Sequence, residues 1–237
     1  MAVSPETEWI LVACGLIAHA DGVLDGNEAE RLMAMIDDRI PEDDYAEWLS
    51  VISNRPELEA RYAALPDPPP EQHRALLEEA WSMAMVDGDR NTEELLVLTK
   101  IAERLGVDPI QLEFWREAWT RNEREFAQCV AELAALVLGG GQSLYEDDLS
   151  PFLDLVERLP TSQDERERLG GLATSPPSDG EALARALAAM PRGRRIQAFN
   201  LVAPLVSSSV EFEQSRPRFV EIGRTAGLLD IDRLCPA

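Results

Sequence analysis

The chain has 237 residues, 45% of them hydrophobic and 6% aromatic, which is typical of a folded protein of one or two domains and excludes a disordered chain. Its formal net charge of −22 repels nucleic acid and anionic membrane surfaces, so the expected partner is a metal cation or a protein with a basic surface. Three scattered cysteines, no basic-then-apolar leader and no apolar run of about 18 residues predict a cytoplasmic protein without a membrane-inserted segment.

The hydrophobic pattern predicts an all-α protein, because apolar residues recur at spacings of three and four and no segment alternates as a strand would. Proline and glycine separate the predicted helices, which cover residues 5–20, 27–40, 42–53, 57–65, 71–86 and 92–105. Gly106 is expected to end the last of these in a left-handed conformation. Asp108 is expected to cap the next helix, which Pro109 opens.

The helical pattern repeats with an offset of about 120 residues. The offset places apolar residues on apolar residues, as in the pairs Leu24/Leu144, Leu32/Phe152 and, at 121, Ile101/Ile222. A fixed period over both halves is typical of a duplicated sequence. We therefore predict two tandem helical bundles, residues 1–120 and 121–237, each built from two related helical hairpins. The second set of helices is expected to begin near Asn122.

The two halves differ in charge. Residues 1–120 hold 26 acidic and 9 basic side chains, a net charge of −17, whereas residues 121–237 hold 18 and 13, a net charge of −5. All five tryptophans also lie in the first half: Trp9, Trp48, Trp81, Trp115 and Trp119. Most are expected in the core, although Trp115 and Trp119 on one helix face are also compatible with an exposed groove.

One motif occurs twice in the first half. Residues 21–28 and 87–94 both read Asp-Gly-x-x-(Asp/Asn)-x-x-Glu and lie between predicted helices. A structural interpretation explains much of it: Asp or Asn followed three residues later by Glu is a capping box, and the glycine suits a left-handed helix end. On this interpretation the motif only joins two helices.

A second interpretation is cation binding. A helix-joining turn does not require Asp21 or Asp87, each of which follows a helix whose macrodipole disfavours a carboxylate. Such oxygen-rich loops suit Ca²⁺ or Mg²⁺. The candidate metal ligands are Asp21, Asp25, Glu28, Asp87, Asp89 and Glu94. The EF-hand pattern is not met, because Thr92 replaces its turn glycine and Leu98 its last glutamate.

Three segments resemble the TerB-like family, which is named for a tellurite-resistance protein. They are residues 20–28, the Val86-Asp87-Gly88 tripeptide and residues 101–107. The resemblance covers residues 5–120 and implies an all-helical bundle of two related halves. It also implies an acidic, metal-binding site at Asp21, Asp25, Glu28, Asp87 and Glu94. The implied role is in stress-response or membrane-associated assemblies without a known reaction, and related domains occur in some co-chaperones. We therefore predict a non-enzymatic scaffold or adaptor of stress response.

The second half departs from this pattern and is expected to be a degenerate copy. Its Asp-Gly pairs become Gly141-Gln142 and Ser207-Ser208, so the acidic site is not extended to it. Its helix starts are predicted to shift later, to Ser150-Pro151 and residues 215–217, because serine suits an N-cap and proline the first turn.

Several alternatives remain open. The same acids in a metal-dependent hydrolase are less well supported, because no nucleophile or histidine set accompanies them. A purely structural interaction module without metal is the main competitor, and self-association is open. His19 either joins a transition-metal site or lies at a helix end. Residues 192–195 either dock an acidic surface or form a solvated loop. Cys14 and Cys129 are expected in the core.

Overall fold

The computed structural model describes residues 3–22, 24, 26–85 and 92–235. These residues form twelve α-helices and three short 3-10 turns and include no strand, so the all-α prediction is confirmed. The chain divides into two compact units, unit 1 (Met1–Arg121) and unit 2 (Asn122–Ala237). Within the described residues, no helix is both long enough and apolar enough to cross a membrane.

Unit 1 surrounds a central helix. Its helices are α1 (Pro5–Ala18), α2 (Gly26–Arg39), α3 (Tyr45–Ile52), α4 (Arg55–Ala64), α5 (Pro70–Met83), α6 (Thr92–Arg104) and the first part of α7 (Pro109–Gly139). Residues 9–18 of α1 are all buried, because this stretch carries no charged side chain and is apolar on every face. Helices α2, α4, α5 and α6 pack around it. Gly15 permits a close approach, since a Cβ there would lie 3.0 Å from Leu58 of α4.

The predicted helix bounds of unit 1 agree with the structure to within about three residues. Gly106 ends α6 with a φ of +68°, as predicted. The N–H groups of Ile110 and Gln111 donate to the Asp108 carboxylate, so the predicted cap of α7 is also confirmed.

The tryptophans of unit 1 belong to its core. Trp9, Trp48, Trp81 and Trp119 are buried, and Trp115 packs against them while remaining partly exposed. The interpretation of Trp115 and Trp119 as the walls of an exposed groove is therefore wrong. The exposed apolar side chains of this part of α7 are instead Ile110 and Phe114.

Unit 2 packs around the second part of α7, whose residues 126–138 are almost entirely buried. Its other helices are α8 (Glu146–Glu157), α9 (Gln163–Gly170), α10 (Gly180–Ala189), α11 (Arg192–Ser208) and α12 (Phe212–Thr225). Phe199 of α11 and Phe219 of α12 meet edge to face, with ring centroids 5.1 Å apart. The cluster gives unit 2 a hydrophobic core of its own.

The prediction of a new helix near Asn122 is wrong. Helix α7 runs without interruption from Pro109 to Gly139 and passes through the boundary between the units. The physical reason is that residues 110–138 contain neither glycine nor proline, so nothing in the chain stops the helix.

The predicted starts of α8 and α12 are also wrong. Helix α8 begins at Glu146 and α12 at Phe212, so Pro151 and Pro217 lie inside the helices. Each proline lies in the second turn, where it removes one backbone N–H and its ring crowds the carbonyl four residues earlier. The first turn forms upstream because its buried residues, Asp148 and Ser215, are held by tertiary contacts.

Candidate cation site

The first Asp-Gly motif begins at the C-terminal end of α1. Gly22 adopts a left-handed conformation, with a φ of +88°, and its N–H donates to the carbonyl of His19 (3.2 Å). Arg55 Nη1 donates to the carbonyls of His19 (2.8 Å) and Ala20 (3.4 Å). Asp21 is exposed. Because Arg55 neutralises part of the negative end of α1, this turn tolerates the Asp21 carboxylate better than the macrodipole alone predicts.

Two carboxylates of the motifs are buried. Glu28 in the first turn of α2 is 4% exposed, and Glu94 in the first turn of α6 is 6% exposed. Glutamate is almost never buried to this extent in a protein core unless its charge is compensated. The positive end of each helix dipole favours a carboxylate in this position. Among the described residues of unit 1, Glu28 and Glu94 are the two charged residues that are buried.

The helices that follow the two motifs lie beside the same central helix. Helices α2 and α6, which carry the buried glutamates, both pack against α1. Arg31 in the second turn of α2 donates to Ser82 Oγ in the last turn of α5 (2.8 Å). This hydrogen bond joins the helix after the first motif to the helix before the second motif.

Three of the six predicted ligands, Asp25, Asp87 and Asp89, lie outside the described residues, as does Asn91 of the second capping box. Among the residues that are described, no group of three or more His, Cys, Asp or Glu side chains is arranged to hold a metal ion. The complete six-residue site thus stays a prediction, of which Asp21, Glu28 and Glu94 have described positions.

His19 has a structural role at the end of α1. Its Nε2 lies 2.7 Å from the carbonyl oxygen of Ile52. A carbonyl only accepts, so Nε2 carries a hydrogen and is not free to bind a metal. The geometry favours the helix-end interpretation over the transition-metal one.

Unit 2 contains a buried polar cluster, formed by Asp148, Ser209 and Ser215, that the sequence reasoning missed. Asp148 lies in the first turn of α8 and Ser215 in the first turn of α12. Ser209 Oγ donates to Asp148 Oδ2 (3.1 Å), accepts from the N–H of Glu211 (3.2 Å) and lies 3.4 Å from Ser215 Oγ. Because the Ser209 proton goes to Asp148, Ser215 is the donor of the third contact. The hydroxyl group of Ser209 thus stabilises the buried Asp148 carboxylate, and Ser215 in turn donates to Ser209.

This cluster occupies the positions of the buried glutamates of unit 1. The 120-residue offset places Glu28 on Asp148, and the offset of 121 places Glu94 on Ser215. The predicted offset was the signal that could have located this cluster. Under that offset Glu28 corresponds to another buried acid, Asp148, whereas Glu94 corresponds to the buried Ser215.

The basic cluster at residues 192–195 is largely committed to the fold of unit 2. Arg194 pairs with Glu123 (2.6 Å) and lies over the Phe126 ring at 3.8 Å from its centroid. Arg195 donates to the carbonyls of Ala226 (2.6 Å) and Ala188 (3.2 Å). Arg194 and Arg195 therefore connect α11 to other helices of unit 2. The sequence suggested either a docking surface or a solvated loop, and neither interpretation includes these contacts.

Comparison with known protein families gives a match to the first half of the chain. Residues 7–117 match the model of the family described as Tellurite resistance protein TerB. No curated protein and no solved structure matches the chain. The matched residues lie within unit 1 and include both Asp-Gly motifs and the two buried glutamates. The match supports the assignment of unit 1 to the TerB family.

Proposed function

We propose that the protein is a non-enzymatic adaptor of the TerB type, in which unit 1 binds a divalent cation through its two Asp-Gly motifs. The observation that carries the proposal is the pair of buried carboxylates, Glu28 and Glu94, at the starts of two helices that pack on α1. The proposed ligands are Asp21, Asp25, Glu28, Asp87, Asp89 and Glu94. The expected setting is a cytoplasmic stress response, with a basic protein surface as the partner.

The donor set suits Ca²⁺ or Mg²⁺, because both cations prefer carboxylate oxygens. A bound cation would supply positive charge to a half of the chain, residues 1–120, whose net charge is −17, and would link the two motifs through shared ligands. The residues themselves hold the ligands in place: the left-handed Gly22 turns the chain after α1, and the first turns of α2 and α6 present the glutamates.

We propose that unit 2 is a degenerate copy of unit 1 that needs no cation. The matching offset of Glu28 to Asp148 and of Glu94 to Ser215 supports this relation. In unit 2 a single carboxylate remains, and Ser209 compensates it through a hydrogen bond. Without a second acid there is less charge for a cation to neutralise.

Cation binding is tested by thermal unfolding of the full chain in EDTA and in millimolar Ca²⁺ or Mg²⁺. All five tryptophans lie in unit 1, so tryptophan fluorescence reports the unfolding of that unit. We expect the cation to raise the melting temperature, since a ligand at about 100 times its Kd stabilises a native state by about 2.7 kcal/mol.

The matched variants are Glu28→Gln with Glu94→Gln, which should abolish the cation-dependent rise, and Glu30→Gln, which removes an exposed charge from the same helix and should retain it. If Ca²⁺, Mg²⁺, Mn²⁺ and Zn²⁺ all leave the wild-type melting temperature unchanged, the cation site is wrong. The adaptor without metal, in which the motifs only cap helices, would then be the better description.

A further inference from the structure

The first four turns of α7 expose two large apolar side chains on the outer face of unit 1. Ile110 is 81% exposed and Phe114 is 68% exposed. They are four residues apart and therefore neighbours on one helix face. The opposite face of α7 packs into the core through Leu112 and Trp119. We name Ile110 and Phe114 the α7 ridge. Exposed apolar residues that are scattered singly over a surface are ordinary, whereas adjacent exposed apolar side chains form a patch of the kind that marks a binding surface.

The exposed charged side chains of residues 103–117 are all acidic. The two arginines of this segment are partly buried: Arg104 lies over the ring of Trp9 (4.8 Å), and Arg116 lies over that of Trp81 (5.0 Å) and pairs with Glu113 (2.8 Å). The carboxylate residues of the segment, Glu103, Asp108, Glu113 and Glu117, are all exposed. An apolar pair in an acidic surrounding is complementary to apolar side chains flanked by Lys or Arg.

The same charges argue against other occupants. A second copy of this chain has a net charge of −22, and residues 1–120 already carry −17, so like-charge repulsion disfavours self-association through the α7 ridge. Anionic lipid and nucleic acid are repelled for the same reason.

We propose that the α7 ridge docks an amphipathic, basic segment of a partner protein, with Phe114 as the anchor and the exposed Glu117 facing its Lys or Arg side chains. An aromatic side chain supplies much of the binding free energy of an interface when the partner covers it, and an amphipathic helix is a common way to cover such a face. The proposal rests on the adaptor function proposed above, but not on its cation site.

A synthetic, fluorescently labelled 18-residue peptide tests the proposal. It carries leucines at helical spacings of three and four and lysines elsewhere, and its Kd for the full chain is measured by fluorescence anisotropy. We expect Ile110→Ser with Phe114→Ser to weaken binding at least tenfold. The matched control is Leu96→Ser with Leu229→Ser, which removes two other exposed apolar residues, 55% and 85% exposed, and should leave the Kd unchanged.

Charge is tested separately. Glu117→Gln should weaken binding at low ionic strength and flatten its salt dependence. A peptide of the same composition with its leucines spread around the helix should bind at least tenfold more weakly. Equal affinities of the wild type and the α7 ridge variant, or equal losses in that variant and its control, would contradict the proposal.

Two further measurements distinguish this proposal from self-association and from the cation site. If light scattering shows a wild-type dimer that Ile110→Ser with Phe114→Ser converts to a monomer, the α7 ridge is a contact between copies and the proposal is wrong. Peptide binding is also measured in Ca²⁺ and in EDTA. Peptide binding without any cation effect on stability would reject the cation site alone, whereas a cation effect without peptide binding would reject the α7 ridge alone.

Discussion

Cys14 sits in the middle of the central helix of unit 1, and its burial links the stability of that unit to a protonated thiol. Burial, with a smaller contribution from the nearby Glu79 carboxylate, raises the pKa of Cys14 from 9.0 to about 12. The folded state therefore holds this proton more tightly than the unfolded state. The resulting stabilisation is complete below pH 9 and is lost as the pH rises toward 12.

We expect the free energy of unfolding of unit 1 to fall by roughly 1.4 kcal/mol per pH unit from this group above pH 9. Urea unfolding followed by tryptophan fluorescence at pH 8, 9.5 and 10.5 measures the slope. Cys14→Ala should be less stable at every pH but should lose less stability between pH 9.5 and 10.5. Equal slopes in the two proteins would show that folding does not change the pKa of the thiol.

Asp148 tests the polar cluster of unit 2 at the level of a single residue. Asp148→Ala leaves the Ser209 hydroxyl buried without its acceptor, so we expect unit 2 to lose about 1–3 kcal/mol of stability. Urea unfolding followed by circular dichroism measures the loss. Asp147→Ala is the control, because Asp147 precedes it in the same first turn but is exposed. A similar loss in both variants would mean that only the helix dipole matters.

At the scale of the helices, the glycine that ends α6 shows how a turn depends on backbone conformation. Gly106 has a φ of +68°, its N–H donates to the carbonyl of Glu103, and that of Val107 donates to Ala102. A Cβ at Gly106 would meet no atom within 4 Å, so a substitution there introduces backbone strain without a steric clash.

We expect Gly106→Ala to cost unit 1 about 1–2 kcal/mol, the usual penalty for placing an L-residue in the left-handed region. Gly26 is the control: it begins α2, has an ordinary φ, and also has open space around its Cβ position. Gly26→Ala should be neutral or slightly stabilising. Urea unfolding followed by tryptophan fluorescence compares them, and equal effects would rule out the conformational explanation.

On the scale of the whole molecule, the distribution of tryptophan separates the two units spectroscopically. Fluorescence reports unit 1, whereas far-ultraviolet circular dichroism reports the helices of both units. We expect Asp148→Ala to shift part of the circular dichroism transition to lower urea and to leave the fluorescence midpoint unchanged. A shift of both midpoints would instead mean that the units unfold together through the continuous helix α7.

The local sequence was sufficient to predict most of the helices. Proline and glycine mark their ends, the spacing of apolar residues marks their inner faces, and Asp108 and Gly106 carry the expected cap and left-handed turn. These features depend on residues that are neighbours in sequence, which is why α1–α6 were predicted to within about three residues. The TerB resemblance of the first half rests on equally local motifs.

The helices and the charge of each half were thus determined by the sequence alone, which also supplies the repeat and the candidate ligands as predictions. Only the tertiary structure decided where α8 and α12 begin. Ser209 holds Asp148, 61 positions away, as well as the nearby Ser215, and this buried cluster outweighs the preference of proline for a first turn. The same long-range packing buried Glu28 and Glu94, left Asp21 in solvent and turned Trp119 inward while exposing Phe114. Periodicity places a residue on a helix face, but the neighbouring helices determine whether that face is covered.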